Sequence, residues 1–506
     1  MARLHEYQGK QLLAQHGFMI PRGGPADSEA AARDVAASLM ATGSGEVVVK
    51  IQAWTTGRAA IGGIAFAKSP QEAAMHAARM LGMKVGQFAV THVLIEEKVA
   101  LSRELFLSLS INDHERRPVM LLSLAGGSGI EDRAAEVHRI PCAVREGPDV
   151  ELLKLALGRS DLPAGLQEKV AGAARAAFNT MRATEARSLE INPLGIANDG
   201  RLIAVDCRVT VDDYAVFRHP ELGIDIAREL DHPPTQLERI AYAVEQDDHR
   251  GTFYFAQLAT AAAEGSRGLA GFHGAGGGGS MMSMDALTNE NFTVANFTDT
   301  SGNPSAAKVY RAARIILQQP NLVGYFGSGS GVASQEQFWS AYGLAKAFWE
   351  MQLDIPAVIR LGGNSEDRAV DILQSAGKEL PATIEGYRKT DPPAKIAKRF
   401  ADLVDASQMK WTPRARRVPS FVDRASAFSF PIKGGRVWID ASRWREIAPI
   451  VISNAYGLLR DDAGKPALTM NEAEIANKDS ELIACEVECR RAGVEGVFVD
   501  LEIPGL

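Results

Sequence analysis

SLEINPLGIANDGRLIAVDCRV, residues 188–209, holds two apolar runs separated by the turn Asn198-Asp199-Gly200. Asn, Asp and Gly tolerate the backbone of a tight turn, so the pattern predicts a hairpin. Upstream, RELFLSLSIN (103–112) and PVMLLSL (118–124) follow each other with no room for a crossover helix. Strands joined so directly pair antiparallel. With EVVVKIQ (46–52) and THVLIEEKV (91–99) as further strands, and helices over Ser28–Met40 and Leu166–Met181, the first part of the chain is mixed α/β and not a simple doubly wound sheet.

Outward toward the C-terminus the rhythm changes. From Thr252 to Tyr387, short strands run into glycine-rich turns and then amphipathic stretches: GLAGF (268–272) into GAGGGG (274–279), LVGYFG (322–327) into SGSG (328–331), AVIRLGGN (357–364) into a helix from Ser365. That repetition predicts a parallel doubly wound sheet with ligands at the carboxyl ends of its strands. Residues 391–420 carry Pro392, Pro393, Pro413 and Pro419 among Lys410, Arg414, Arg416 and Arg417, and read as a basic linker after a short helix. Beyond it, RVWID (436–440) and VFVDLEI (497–503) as strands, with helices over Trp444–Leu459 and Asn471–Arg491, predict a small α/β extension. The expected division is therefore 1–245, 246–390, 391–420 and 421–506.

At 506 residues, 46% hydrophobic and 23% charged, the chain has the composition of a globular protein of about three domains. Its net charge of −7 argues against a dedicated nucleic-acid surface. Four cysteines, Cys142, Cys207, Cys485 and Cys489, are too few for a disulfide framework, and no run is long and apolar enough to span a membrane. The expected location is cytoplasmic.

Three constellations carry chemistry. In VVVKIQAWTTGRAAIGG (47–63) a strand delivers Lys50, and a turn with Gly57, Gly62 and Gly63 presents Arg58; a point charge and a planar fork beside a flexible loop suit a polyphosphate. A strand-edge lysine and an exposed arginine fit the same residues. Glu190, Asn192 and Asp206 lie on the two arms of the hairpin, where hard oxygen donors suit magnesium. Polar residues on a wet hairpin face are the plainer alternative. Glu96, Glu97 and Glu104 fall on consecutive strands, where a hinge backbone and a carboxylate suit adenine and ribose, or where they are surface charges.

These segments, in order and spacing over roughly the first 390 residues, resemble the β subunit of succinyl-CoA synthetase within the ADP-forming acyl-CoA ligase superfamily. The resemblance rests on LHEYQGKQLL (4–13), VVKIQ with its GR…GG turn, LEINPL (189–194), VFRHPEL (216–222), VANFTDTSG (294–302) and PAVIRLGGN (356–364). It implies an ATP-grasp domain, then a flavodoxin-like ligase domain, ahead of the small α/β extension already read from the residues. It implies that Lys50, Gly57 and Arg58 meet phosphates, that Glu96 and Glu97 form the adenine hinge with Glu104 near the ribose, and that Asn192 and Asp206 hold Mg2+. In that family a carboxylate, CoA and ATP or GTP give acyl-CoA, nucleoside diphosphate and phosphate through a phosphohistidine and an acyl phosphate. The histidine and the main CoA site belong to an α-type partner subunit, so a heteromer is implied. A helix N-terminus near Gly329–Val332 would face the phosphohistidine.

The chain departs from the family at Trp54, Thr56 and Ala60 in the phosphate loop, at His273-Gly274-Ala275-Gly276, and at FGSGSGVAS (326–334). Because the latter loops frame the acyl acid, with His273, Gly274, Gly276, Gly327, Gly329 and Gly331 as substrate-lining candidates, a small carboxylate other than succinate is expected. A non-catalytic nucleotide-binding interaction subunit, or an acyl- or carbamoyl-transfer subunit running toward ATP synthesis, are the alternatives. Cys485 and Cys489, one helical turn apart, read as a buried helix face.

Overall fold

The computed structural model describes residues 1–125, 137–246 and 251–414 apart from 303, 330–332 and 379, and, further on, 432–433, 436–439, 480, 483–484, 487 and 499–502. Two compact units, Met1–Pro234 and Thr235–Leu506, divide the chain.

The first unit holds five α-helices among its described residues: α1 (Glu6–Gln15), α2 (Glu29–Ala41), α3 (Pro70–Leu81), α4 (Val150–Gly158) and α5 (Ala164–Ala183). Helices α2, α3 and α4 start where Ser28, Ser69 and Asp149 accept hydrogen bonds from amides of the first turn, the usual device for satisfying those donors. Helices α2 and α3 cover a four-stranded antiparallel sheet ordered Gly23–Ala26, Val93–Glu97, Val47–Ile51, Ile64–Ala67. A larger antiparallel sheet runs Ala2–Arg3, Cys207–Val211, Ala186–Ala197, Leu101–Asn112, Arg117–Ser123, Val137–Ala143, Gly147–Pro148. The expected hairpin is there: Leu202–Ala204 pairs antiparallel with Ala186–Ala197 across the turn at Gly200. Leu12 and Leu13 of α1 join Phe178 and Met181 of α5 in the core on this sheet.

The second unit holds α6 (Gln236–Gln246), α7 (Gly277–Asn289), α8 (Ala306–Ile316), α9 (Phe338–Met351), α10 (Glu366–Gly377) and α11 (Pro393–Ser407). Its parallel strands lie in the order Asn296–Asp299, Leu269–Ala275, Leu322–Gly329, Ala357–Arg360, Ile384–Tyr387, with Tyr254–Gln257 antiparallel at one edge. In chain order the parallel strands read 2-1-3-4-5, the flavodoxin-like order, and α8, α9 and α10 cover one face while α7 and α11 cover the other.

Two details differ from expectation. Helix α6 packs with Tyr254–Gln257 and α8, so a boundary at 245 cuts behind a helix of the second unit. Residues Pro393–Ser407, inside the expected linker, are helical because Pro392 and Pro393 fall at its start, where no amide is needed, and Ile396, Phe400 and Val404 then bury one stripe. In the extension, Arg436–Ile439 and Val499–Glu502 are strands as expected, and they pair antiparallel, while the helix over Trp444–Leu459, with Cys485 and Cys489, lies outside the described residues.

Candidate functional site

The first turn of α1 carries the charge around which the site is built. Glu6 and Lys10, one turn apart and 7% and 1% exposed, are buried together. On the strand Val47–Ile51, Val47, Val49 and Ile51 enter the core beneath α2 and α3, so period-two alternation sends Lys50 out of the opposite face. Val48 pairs with Glu96, which places Glu96 diagonally across from Lys50 on that same face. The Lys50 ammonium lies 2.8 Å from Glu6 and 3.0 Å from Glu96, and donates to the Val205 carbonyl at 3.1 Å. Lys10 lies 2.7 Å from Glu6 and 2.6 Å from Glu96.

Arg58 completes the cluster. Its guanidinium donates to Glu6 at 2.6 Å, to Asp206 at 2.5 Å and to the Ile51 carbonyl at 3.1 Å. The turn can bring it there because a Cβ at Gly63 would lie 2.6 Å from Ile51 Cδ1, so only glycine lets the loop close on the strand; Gly57 holds a positive φ of 63°. Three cations and three carboxylates therefore face one another with little water. Burial raises the proton affinity of Glu6, but Lys50, Lys10 and Arg58 outweigh it and hold its carboxyl well below the usual range. Burial works against the charges of Lys50 and Arg58 too, and their carboxylates overcome it, so both stay firmly protonated. Asp206 goes the other way: burial and then repulsion from Glu6 push its carboxyl up despite Arg58 and Lys50.

Glu6, Arg58, Glu190, Asp206, Arg208 and Trp54 are among the residues lining a cavity of about 300 Å³. Asn192 stands next to Asp206, its amide donating to the Asp206 carbonyl at 3.2 Å. Carboxylate and amide oxygens of this kind are hard donors, and the set fits a divalent cation such as magnesium. Trp54 sits with its ring centroid 5.8 Å from that of His5, beside the cavity.

The other acidic candidates separate by strand parity. Glu96 is engaged by Lys10 and Lys50, while Glu97, on the opposite side of the strand, accepts from the Arg22 amide at 3.0 Å and Arg22 Nε at 2.8 Å. Arg22, Glu97, Val99, Ala100, Asn198 and Arg201 border a second cavity of about 580 Å³. Glu104 is exposed and lies on neither cavity wall. Glu6 and Lys10 were not among the residues that sequence reading singled out; the signal was their i, i+4 spacing on a helix.

In the second unit, the strand order reverses between Leu269–Ala275 and Leu322–Gly329, where a crevice forms at the carboxyl ends. His273, Gly327 and Gly329 line a cavity of about 30 Å³ there, with Thr300, Gln337 and Arg360. Gly274 is not on its wall, Gly276 caps α7 with a φ of 93°, and Gly331 lies outside the described residues. Both ring nitrogens of His273 are engaged, Nδ1 with the Tyr325 hydroxyl at 2.6 Å and Nε2 with Thr300 Oγ1 at 3.3 Å. Burial lowers its pKa to about 4, so it is neutral. The helix expected to begin near Gly329–Val332 is α9, which begins at Phe338 after the short strand Ala333–Glu336.

Known proteins bear out this reading of the fold. A family of ATP-grasp domains matches residues 3–196. The β subunit of the GDP-forming succinate–CoA ligase of Thermus thermophilus is 31% identical over 393 residues, covering 76% of this chain and 97% of its own length. The ADP-forming enzyme's β subunit from Chloroflexus aggregans is 32% identical over 395 residues, with 76% and 97% covered. The ATP citrate lyase of Methanothrix soehngenii, solved with citrate and coenzyme A, shares the fold at a TM-score of 0.58 and 20% identity, over 79% of this chain and 99% of that one. No helix among the described residues is long and apolar enough to cross a membrane. With the ATP-grasp match on the unit that holds the charged cluster and near-complete coverage of the curated relatives, this chain belongs to the succinate–CoA ligase β-subunit family.

Proposed function

We propose that this chain is the nucleotide-handling, β-type subunit of an ADP-forming acid–CoA ligase that activates a small carboxylate other than succinate. One observation carries the reading: Arg58, Glu190 and Asp206 line one cavity, and Lys50 is held beside it through Glu6 of the same wall, so cations suited to phosphate stand with hard oxygen donors. The carboxylate, CoA and ATP would yield acyl-CoA, ADP and phosphate. A carboxylate has no good leaving group until its oxygen is phosphorylated, and the thiol then displaces phosphate.

In this reading Lys50 and Arg58 orient the polyphosphate, and the backbone beside Glu97 borders the base. Asp206 and Asn192, with Glu190 near, hold magnesium, which neutralises phosphate charge. The acyl group occupies the crevice lined by His273, Gly327 and Gly329. The neutral, engaged ring of His273 suits a wall and not a phosphoryl carrier, so the phosphohistidine and the main CoA site are assigned to an α-type partner, in keeping with relatives named as β subunits.

The test is co-expression with a histidine-bearing α-type chain and mass spectrometry of CoA thioesters formed from a panel of small carboxylates with ATP and magnesium. The expected result is one preferred acid other than succinate, with product lost in Asp206→Asn. Best turnover with succinate overturns the substrate reading. A stable complex that binds nucleotide but forms no thioester overturns the ligase reading and favours a non-catalytic subunit.

A further inference from the structure

In the buried cluster, Glu6 bonds to three cations: Lys50 and Arg58, assigned to the phosphates, and Lys10. Its two oxygens divide them. Oε1 meets Lys10 and Lys50 at 2.7 and 2.8 Å, and Oε2 meets Arg58 at 2.6 Å. A carboxylate that gathers a lysine and an arginine fork in this way presents the same acceptor chemistry as a pair of phosphate oxygens. It does so from a helix, α1, packed on the strand Cys207–Val211 that Asp206 directly precedes.

We propose that Glu6 is an internal counter-anion that competes with bound polyphosphate for Lys50 and Arg58, and that Lys10 is the resident cation that makes their release possible. The inference rests on the assignment of those two cations to nucleotide phosphates. When Lys50 and Arg58 turn to phosphate oxygens, Glu6 and Glu96 would be left buried without a charge partner unless one stayed. Lys10 bridges both carboxylates already, at 2.7 and 2.6 Å, and it is 1% exposed, so it stays. The pair therefore sets affinity: Glu6 weakens polyphosphate binding by competition, and Lys10 limits the loss. Neither group needs to touch the ligand, which makes both positioning residues.

The directions of effect separate this role from a structural one. Glu6→Gln leaves one net positive charge beside the phosphates, and its affinity for inorganic tripolyphosphate and for ADP should rise by about tenfold. Lys10→Met draws Lys50 and Arg58 back to two unpaired carboxylates, and affinity should fall by a similar factor. The double variant removes one charge of each sign and should return near the wild-type value. Isothermal titration on the full chain, with circular dichroism and thermal melting of each variant, reads all three. Damage to folding would weaken binding in every variant. Equal or weaker binding by folded Glu6→Gln overturns the proposal while leaving the nucleotide reading intact, provided the wild type binds. If Glu6→Gln does not fold, unchanged binding by Lys10→Met overturns it, and weakened binding with the double variant restored supports it. Absence of binding by wild type and variants alike overturns both this inference and the nucleotide assignment.

Discussion

Arg58 neutralises two carboxylates at once, Glu6 at 2.6 Å and Asp206 at 2.5 Å, while only 9% of its side chain is exposed. Removing one member of a buried ionic set strands the others. Arg58→Met should therefore cost about 3–5 kcal/mol of stability in urea unfolding, and Arg58→Lys should recover only part, because one ammonium lacks the fork that reaches both acids. His273 makes a different prediction. Its pKa falls from 6.5 in the unfolded chain to about 4 in the fold. Between those values the unfolded state binds more protons, so stability is complete above pH 6.5 and declines as the pH drops toward 4, by about 3 kcal/mol in all. His273→Asn should remove that component from the difference between unfolding curves at pH 7.5 and pH 5. A variant with the same pH slope as the wild type contradicts it. Much of the site was legible: Lys50, Arg58 and Asp206 stood out by type and spacing, and they converge. Glu6 and Lys10 did not, because a Glu–Lys pair four residues apart is ordinarily a solvated surface pair. Only the strand Val93–Glu97, distant in sequence, makes it a buried one by supplying Glu96.

Helix α1 can deliver Glu6 and Lys10 only by lying close on the strand Cys207–Val211. Gly9, between the two charged residues, makes that approach: a Cβ there would stand 2.7 Å from Cys207 Sγ. Gly9→Ala should push the helix outward, lowering stability by about 1–3 kcal/mol. Adding Cys207→Ala removes the clashing sulfur and should recover most of that loss; if the double variant is no better than Gly9→Ala alone, the close approach is not the cause. Elements with a clear period were readable from the sequence. The valine run at 46–52 became Val47–Ile51, and Ser28 was correctly placed at the start of a helix that runs Glu29–Ala41. Helix α11 was hidden because prolines signal both a break and a first turn, and the choice depends on whether Ile396 and Phe400 find a face to bury. They find it against Gly324, where a Cβ would sit 2.4 Å from the Phe400 ring.

Each unit has its own core, and the second draws in residues of the C-terminal extension. Ser480, Ile483, Ala484 and Val487 are helical positions spaced at three and four residues, and Ile483 and Val487 are fully buried in the core with α8 and α9. The sequence predicted a helix here, yet a stripe of small and aliphatic residues carries no record of what it packs on. Ser480 adds a directional contact: its Oγ accepts from the Ala307 amide at 3.3 Å, in the first turn of α8, where Ser305 already accepts from the Lys308 amide. The helix start thus has one cap from its own loop and one from the extension. Ser480→Ala should speed hydrogen exchange at the Ala307 amide alone, at a cost of about 1 kcal/mol, while Ile483→Asp buries an unpaired charge and should speed exchange along α8 and α9 together. Truncation after residue 420 removes cap and stripe at once and should reproduce both effects. Exchange in α8 that is unchanged by truncation contradicts the packing. If it rises as expected, the extension is part of the second unit's core, and the first turn of α8, which follows the Thr300 that holds His273, is steadied by residues 173 or more positions further along the chain.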